Sequence, residues 1–156
     1  MSQGEMVGDL GQSVGYALKQ VAAALRTALD ATLRPLDLTV PQYACLELLG
    51  QRPGLSGAEL ARGAFVTRQS MHGVLRGLHD RGLLTRPSTA PHGRALPTAL
   101  TSAGRQQLTA ASTAVRAVER QMLDRLPPAH RTQLHNDLVA CATALTASVR
   151  PGEVPA

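Results

Sequence analysis

Residues 39 to 82 contain three helix starts in close succession, and that spacing constrains the chain more than any other feature. In "LTVPQYACLELLG", Thr39 stands as an N-cap, Pro41 falls in the first turn, and Gln42 lies three residues after the cap, closing a capping box. That helix is expected to run to about Leu49 and end at Gly50. "RPGLSGAELARGA" repeats the device with Ser56 and Glu59, and its short helix stops near Gly63. After a tight turn, Thr67 caps a third helix running to Arg81, with Gly82 just past its end. Two helices joined by a short glycine-containing turn form a helix-turn-helix, the second lying across the first.

The last of these helices has a single apolar stripe at Met71, Val74, Leu75 and Leu78, the spacing of one buried face. Its other face carries Arg68, Gln69, His72 and Arg76. A surface helix needs polar residues, but solvation does not require cations and amides with almost no acid. Charge along the chain points the same way. Residues 55 to 105 hold seven arginines (62, 68, 76, 81, 86, 94 and 105) against Glu59 and Asp80, so the whole formal charge of +5 lies in one third of the length. Such concentration is a footprint for a polyanion, nucleic acid before anionic lipid. The plain alternative is a solvated arginine-rich surface in a chain whose sole lysine is Lys19.

Beyond Gly82 the pattern turns from helical to extended. "LLTRPS" (83 to 88), a turn-rich tip at 89 to 93 and "RALPTALT" (94 to 101) read as a two-stranded hairpin, with Pro97 confined to an edge or bulge. The flanks are long helices. Leu10, Val14, Leu18, Val21, Leu25, Leu29 and Leu33 form a narrow seam, which "RPLD" ends. Thr101 caps a helix with Leu108, Ala111, Val115, Val118 and Met122, ending at Leu126. "PP" at 127 and 128 then opens the last, with Leu134, Leu138, Cys141, Leu145 and Val149. Only Tyr16, Tyr43 and Phe65 are aromatic, so the core is Leu, Ala and Val, which favours packed helices. A seam with nowhere to go in a chain this small predicts dimerisation. The expected fold is mainly α with a small β-wing. A winged helix-turn-helix DNA-binding lobe spans 39–101, flanked by long N- and C-terminal dimerisation helices at 10–36 and 102–149, all in one domain over 1–156.

An α-helix fits the major groove of B-DNA, and its N-terminal residues reach base edges. Here those residues are Thr67, Arg68, Gln69, Ser70 and His72. Gln bonds adenine and Arg bonds guanine in bidentate fashion, while Ser and Thr reach bases or phosphates. Arg76, one turn on, leans toward the backbone. Gly73 keeps the exposed face slim. Arg86 on the first wing strand suits a phosphate, and Arg94 near the tip suits a narrow minor groove. Each has a blander reading: Thr67 as a cap alone, Ser70 as a small residue of the first turn, His72 as an ordinary surface histidine. Arg81 and Arg105 are expected to be solvated rather than bound.

Residues 9 to 148 resemble the MarR family of bacterial transcription regulators. The resemblance is carried by "PLDLTVPQYACLELL", "ELARGAFVTRQSMHGVLRGLHDRGLLTR" and "RALPTALTSAGRQQL", in that order and spacing. It implies a homodimeric regulator, by the family's commoner habit a repressor, with interlocked terminal helices and two winged lobes on a palindromic operator. It also implies that Thr67, Arg68, Gln69, Ser70, His72 and Arg76 serve the recognition helix, and Arg86 and Arg94 the wing. The wing departs from the family pattern at His92, where an aspartate is usual, and at Gly93. Arg94, Leu100 and Thr101 keep their places. Relatives often release DNA when a small aromatic acid or lipophile binds between dimer core and DNA lobe. In this chain that crevice would draw on Tyr16, Lys19 and Tyr43, the alternative being a surface lysine beside an interface tyrosine.

Other chemistry finds little support. No nucleophile–base–acid set and no phosphate-cradling glycine loop are present, so no enzyme and no cofactor are expected. His72, His79 and His92 could in principle meet around a metal, but His79 projects from the helix more than a turn away and no cysteine lies near, so no metal is expected. Cys45 on an apolar helix face and Cys141 in the C-terminal seam are expected to be structural rather than oxidant sensors. No segment approaches a membrane span or a secretory signal, which predicts a soluble cytoplasmic protein. Two further readings stay open: a helical module that kept the fold but works through protein partners, and an architectural binder indifferent to sequence.

Overall fold

The computed structural model describes residues 8–86 and 98–148. A 3-10 turn (Leu10–Gln12) leads into α1 (Val14–Leu33), and a second (Arg34–Leu36) leads into α2 (Val40–Gln51). Then follow α3 (Gly57–Gly63), α4 (Arg68–Asp80), β1 (Leu84–Thr85), β2 (Ala99–Leu100), α5 (Ser102–Leu123) and α6 (Pro128–Ser148). The chain divides into two compact units, Met1–Val118 and Glu119–Ala156. The first holds the helix-turn-helix and the paired strands; the second holds the end of α5 and all of α6.

The caps form as their residues dictate. Thr39 Oγ1 accepts from the Gln42 amide at 3.2 Å while the Thr39 amide donates to Gln42 Oε1 at 3.0 Å. Ser56 and Glu59 do the same at 3.1 and 3.3 Å, and Thr67 Oγ1 accepts from the Ser70 amide at 3.0 Å. Each cap stabilises its helix by about 0.5–2 kcal/mol. Past α4, Gly82 takes a left-handed φ of 72°. Its amide and that of Leu83 return to the carbonyls of His79 and Leu78 at 2.9 and 3.0 Å, a Schellman ending.

Several boundaries differ from those expected. The first helix begins at Val14 rather than Leu10, because Ser13 takes extended backbone and accepts from the Tyr16 amide. Gly50 does not end α2. It lies inside that helix, where a Cβ would come within 2.5 Å of Leu108 Cδ2, so it serves a close approach of α5. Helix α5 closes at Leu123, with the Leu126 amide turning back to the Leu123 carbonyl at 2.9 Å. The hairpin pairs only Leu84 with Leu100 and Thr85 with Ala99, antiparallel. Its expected tip and Pro97 lie outside the described residues.

The core sits where α1, α2, α3, α4 and the strand base converge. Leu33, Leu46, Leu49, Leu60, Met71, Leu78 and Leu84 are each essentially sealed from solvent. Burying a side chain of this size is worth about 1.5–3 kcal/mol. This core holds the apolar stripe of α4 inward and leaves its cationic face outward. Thr101 secures the wing base: its hydroxyl donates to the Gly82 carbonyl at 2.6 Å and accepts from the Gly104 amide at 3.1 Å. Among the described residues no buried side-chain nitrogen or oxygen lacks a hydrogen-bond partner.

Candidate nucleic-acid interface

Thr67, Arg68, Gln69, Ser70, His72 and Arg76 are all exposed, while Met71, Leu75 and Leu78 on the opposite side of α4 are buried. The structure therefore gathers these six expected residues on one open face. Helix α3 has an acid, Glu59, in its first turn, where it is consumed by the cap; α4 has none in its first turn. The positive end of the α4 dipole and its free amides are left for an external anion. Gly73 lies on the same open side with nothing within 4 Å of the position a Cβ would take.

Arg86 follows β1 directly and is half-buried. Arg94, with His92 and Gly93, lies outside the described residues. Arg81 and Arg105 are more committed than expected. Arg81 Nη1 donates to the Asp37 carbonyl at 2.6 Å and Arg105 Nη1 to the Leu100 carbonyl at 3.1 Å, so both tie parts of the lobe together.

One neighbour of this face was not expected as a site residue. Phe65 forms the turn between α3 and α4, with a left-handed φ of 58° and its side chain 94% exposed. The available signal was an aromatic residue at the place past a helix end where glycine is usual.

The residues expected to meet an effector are arranged differently from one another. Tyr16 and Lys19 are exposed on α1, whereas Tyr43 is half-buried on α2. The Tyr43 hydroxyl donates to Glu47 Oε2 at 3.3 Å, and Glu47 also accepts from Ser112 Oγ at 2.7 Å and Gln51 Nε2 at 2.9 Å. Burial pushes the Tyr43 hydroxyl above its ordinary pKa, and the Glu47 carboxylate beside it adds to the rise. For Glu47, burial acts upward, but hydrogen bonds from Ser112, Gln51 and Tyr43 outweigh it and hold the carboxyl below its ordinary value. This network joins α2 to α5. Three surface concavities, floored around Leu38, Leu100 and Leu55, include none of Tyr16, Lys19 or Tyr43 in their walls.

Cys45 is fully buried, and burial raises its thiol to about 12, which leaves it inert near neutral pH. Cys141 is exposed on α6. His72 and His79 belong to no group of three metal-binding side chains among the described residues. No described helix is long and apolar enough to cross a membrane.

A helix-turn-helix whose second helix offers an open polar face with no acid in its first turn, followed by a two-stranded wing base, defines a winged-helix DNA-binding regulator. Comparison with known proteins makes this specific. The MarR family model matches residues 36–95. The HTH-type transcriptional repressor Rv2887 of Mycobacterium tuberculosis is 49% identical over 113 residues, covering 72% of this chain and 81% of that protein. The crystal structure of Rv2887 in complex with salicylic acid aligns at 42% identity with a TM-score of 0.73, over 87% of this chain and 99% of the other. The structure of Rv2887 in complex with DNA aligns at 42% identity and a TM-score of 0.70, over 83% and 97%. The chain belongs to the MarR family and is a DNA-binding transcriptional regulator.

Proposed function

We propose that this chain is a homodimeric repressor that reads a pseudo-palindromic operator with half-sites about one helical turn apart. Thr67, Arg68, Gln69, Ser70 and His72 face the bases of the major groove. Arg76 and Arg86 hold phosphates, and Arg94 enters the minor groove. The observation that carries this reading is the outer face of α4, exposed along its length, cationic and amide-bearing, with no acid in its first turn. The apolar residues left open on α1 and α6, with 10–36 and 102–149 as the dimerisation segments, support the second copy. In this reading the protein works in the cytoplasm, holds no cofactor and catalyses nothing.

The effector is a small aromatic acid. The resemblance to Rv2887, a protein crystallised with salicylic acid and with p-aminosalicylic acid, supports that class. Lys19 supplies a cation for the carboxylate and Tyr16 and Tyr43 supply aromatic surface. The test is a titration of the purified protein into the duplex upstream of its own gene and into random duplex, at two salt concentrations, with and without salicylate. A preference of roughly a thousandfold or more, weakened by salicylate, is the expected result. Equal and steeply salt-dependent binding to both duplexes would refute sequence reading and leave only phosphate contacts.

A further inference from the structure

Three turns of this chain place a non-helical residue at left-handed φ just after a helical segment, each with the same pair of returning hydrogen bonds. At Gly82 the residue is one that meets no steric penalty there. At Asp37 it is a type that tolerates the conformation, and its carbonyl accepts the Arg81 guanidinium. At Phe65 it is neither. A bulky aromatic at φ 58° is a genuine outlier for the backbone, and here the ring stays open to solvent. It is the chain's only phenylalanine and, among the described residues, the most exposed large apolar side chain, at 94%.

The backbone beneath the ring is nevertheless well held. The Phe65 amide donates to the Arg62 carbonyl at 3.3 Å and the Val66 amide to the Ala61 carbonyl at 3.0 Å. Ala61 is itself buried in the core, and Val66 is half-buried beside it. The turn therefore presents the ring outward at a set place, two residues before the Thr67 cap of α4. Arg62 and Arg68, both exposed, stand three residues to either side, and no acid lies between them. An apolar ring flanked by cations at the mouth of a recognition helix fits a polyanion with an apolar group at the same level. In the major groove that group is the C5 methyl of thymine, for which phenylalanine is a known type of contact.

We infer that Phe65 is a further DNA-contacting, specificity-determining residue, its ring seated on a thymine methyl at the edge of each half-site. This rests on α4 being the recognition helix, and it extends that interface by continuity across the Thr67 cap. Single exposed apolar residues are ordinary on protein surfaces. What distinguishes Phe65 is the combination of near-total exposure, an unfavourable backbone conformation and position against the DNA-facing helix.

The experiment uses the full chain and a duplex selected from random oligonucleotides for tightest binding, a scrambled duplex, and the selected duplex with deoxyuridine replacing thymine in turn. Binding is followed by fluorescence anisotropy and stability by thermal unfolding. Phe65→Asn keeps a residue that accepts left-handed φ, and Phe65→Gly removes the steric penalty altogether. Both are expected to keep or raise Tm while weakening binding to the selected duplex by roughly tenfold, a loss of about 1.4 kcal/mol. Binding to the scrambled duplex should change little. At one thymine per half-site, deoxyuridine should weaken the unmodified protein and leave Phe65→Asn unaffected, as expected of two changes that remove one contact.

Undiminished affinity in both variants overturns the inference, as does a loss shared equally by the scrambled duplex. Absence of any deoxyuridine effect on the unmodified protein overturns the thymine contact. Repression lost in a reporter strain while DNA affinity stays intact also overturns it, and assigns the ring to a protein partner. An unmodified protein that prefers no duplex at all fails the recognition-helix reading itself, a result separate from any effect of Phe65.

Discussion

Helices α4 and α6 both carry apolar residues at helical spacing, yet they treat them in opposite ways. In α4, Met71, Leu75 and Leu78 close against α2, α3 and the strand base, and the polar face is left for solvent or a ligand. In α6, Leu134, Leu138 and Val139 are at 36, 41 and 51% exposure, and none of residues 128–147 is buried. Helix α1 combines the two: Leu33 at its end is sealed in the core while Val14, Leu18 and Val21 near its start remain open. The core around α4 is completed with Leu33 of α1 and Ala111 of α5. The flanks carry apolar surface that a single chain does not cover, as expected of segments built to meet a second copy.

The contrast is most exposed to refutation at Leu78 and Leu138. Leu78→Ala should cost about 2–5 kcal/mol in urea unfolding, because it opens a cavity in a sealed core. Leu138→Ala should act through assembly instead, shifting sedimentation toward monomer and making its Tm strongly dependent on protein concentration. A Leu138→Ala protein with unchanged self-association at every concentration would place the dimer contact elsewhere.

Within the lobe, the division between inner and outer faces is sharpened by Gln69. Gln69→Ala should leave unfolding nearly unchanged but cost roughly 1–3 kcal/mol on operator DNA and little on random duplex. An equal loss on both duplexes would remove Gln69 from base reading.

A smaller effect belongs to the Glu47 network between α2 and α5. Its carboxyl is held below the ordinary range in the folded protein, so its contribution is present above the unfolded carboxyl's value near pH 4.3 and lost as pH falls through the lower folded value. Glu47→Gln should therefore flatten the acid limb of the stability profile and destabilise most at neutral pH. A profile identical to the parent's across that range would show the network to be energetically silent. The least effect on function is expected at Cys45: with its thiol at about 12, alkylation at pH 8 should wait for unfolding. Rapid modification in the native protein would mean that the lobe's core opens.

Much of the lobe was legible because its signals are local. A capping box needs only a hydroxyl and a Glu or Gln three residues later, so Thr39–Gln42 and Ser56–Glu59 could be read directly. The polar face of α4 was legible for the same reason: a single amphipathic period determines which residues can be buried together. Gly50 was misread as a helix stop because its reason is the Leu108 side chain, distant in sequence. Leu126 gave way to Leu123 because apolar periodicity continues past the point where the backbone turns.

Phe65 shows the limit most clearly. Nothing in the sequence assigns it a role of its own, and only folding puts it at left-handed φ with its ring outside. The amino-acid sequence by itself determined the order of helices, their caps, the concentration of charge between residues 55 and 105, and the face α4 turns outward. Tertiary structure alone decided which glycine is a stop and which a close approach, that Tyr43 is tied through Glu47 to Ser112, and which apolar residues stay open. The physical reason is range. Caps and periodicity act within one or two helical turns, whereas packing brings together side chains such as Glu47 and Ser112, whose proximity no local pattern encodes.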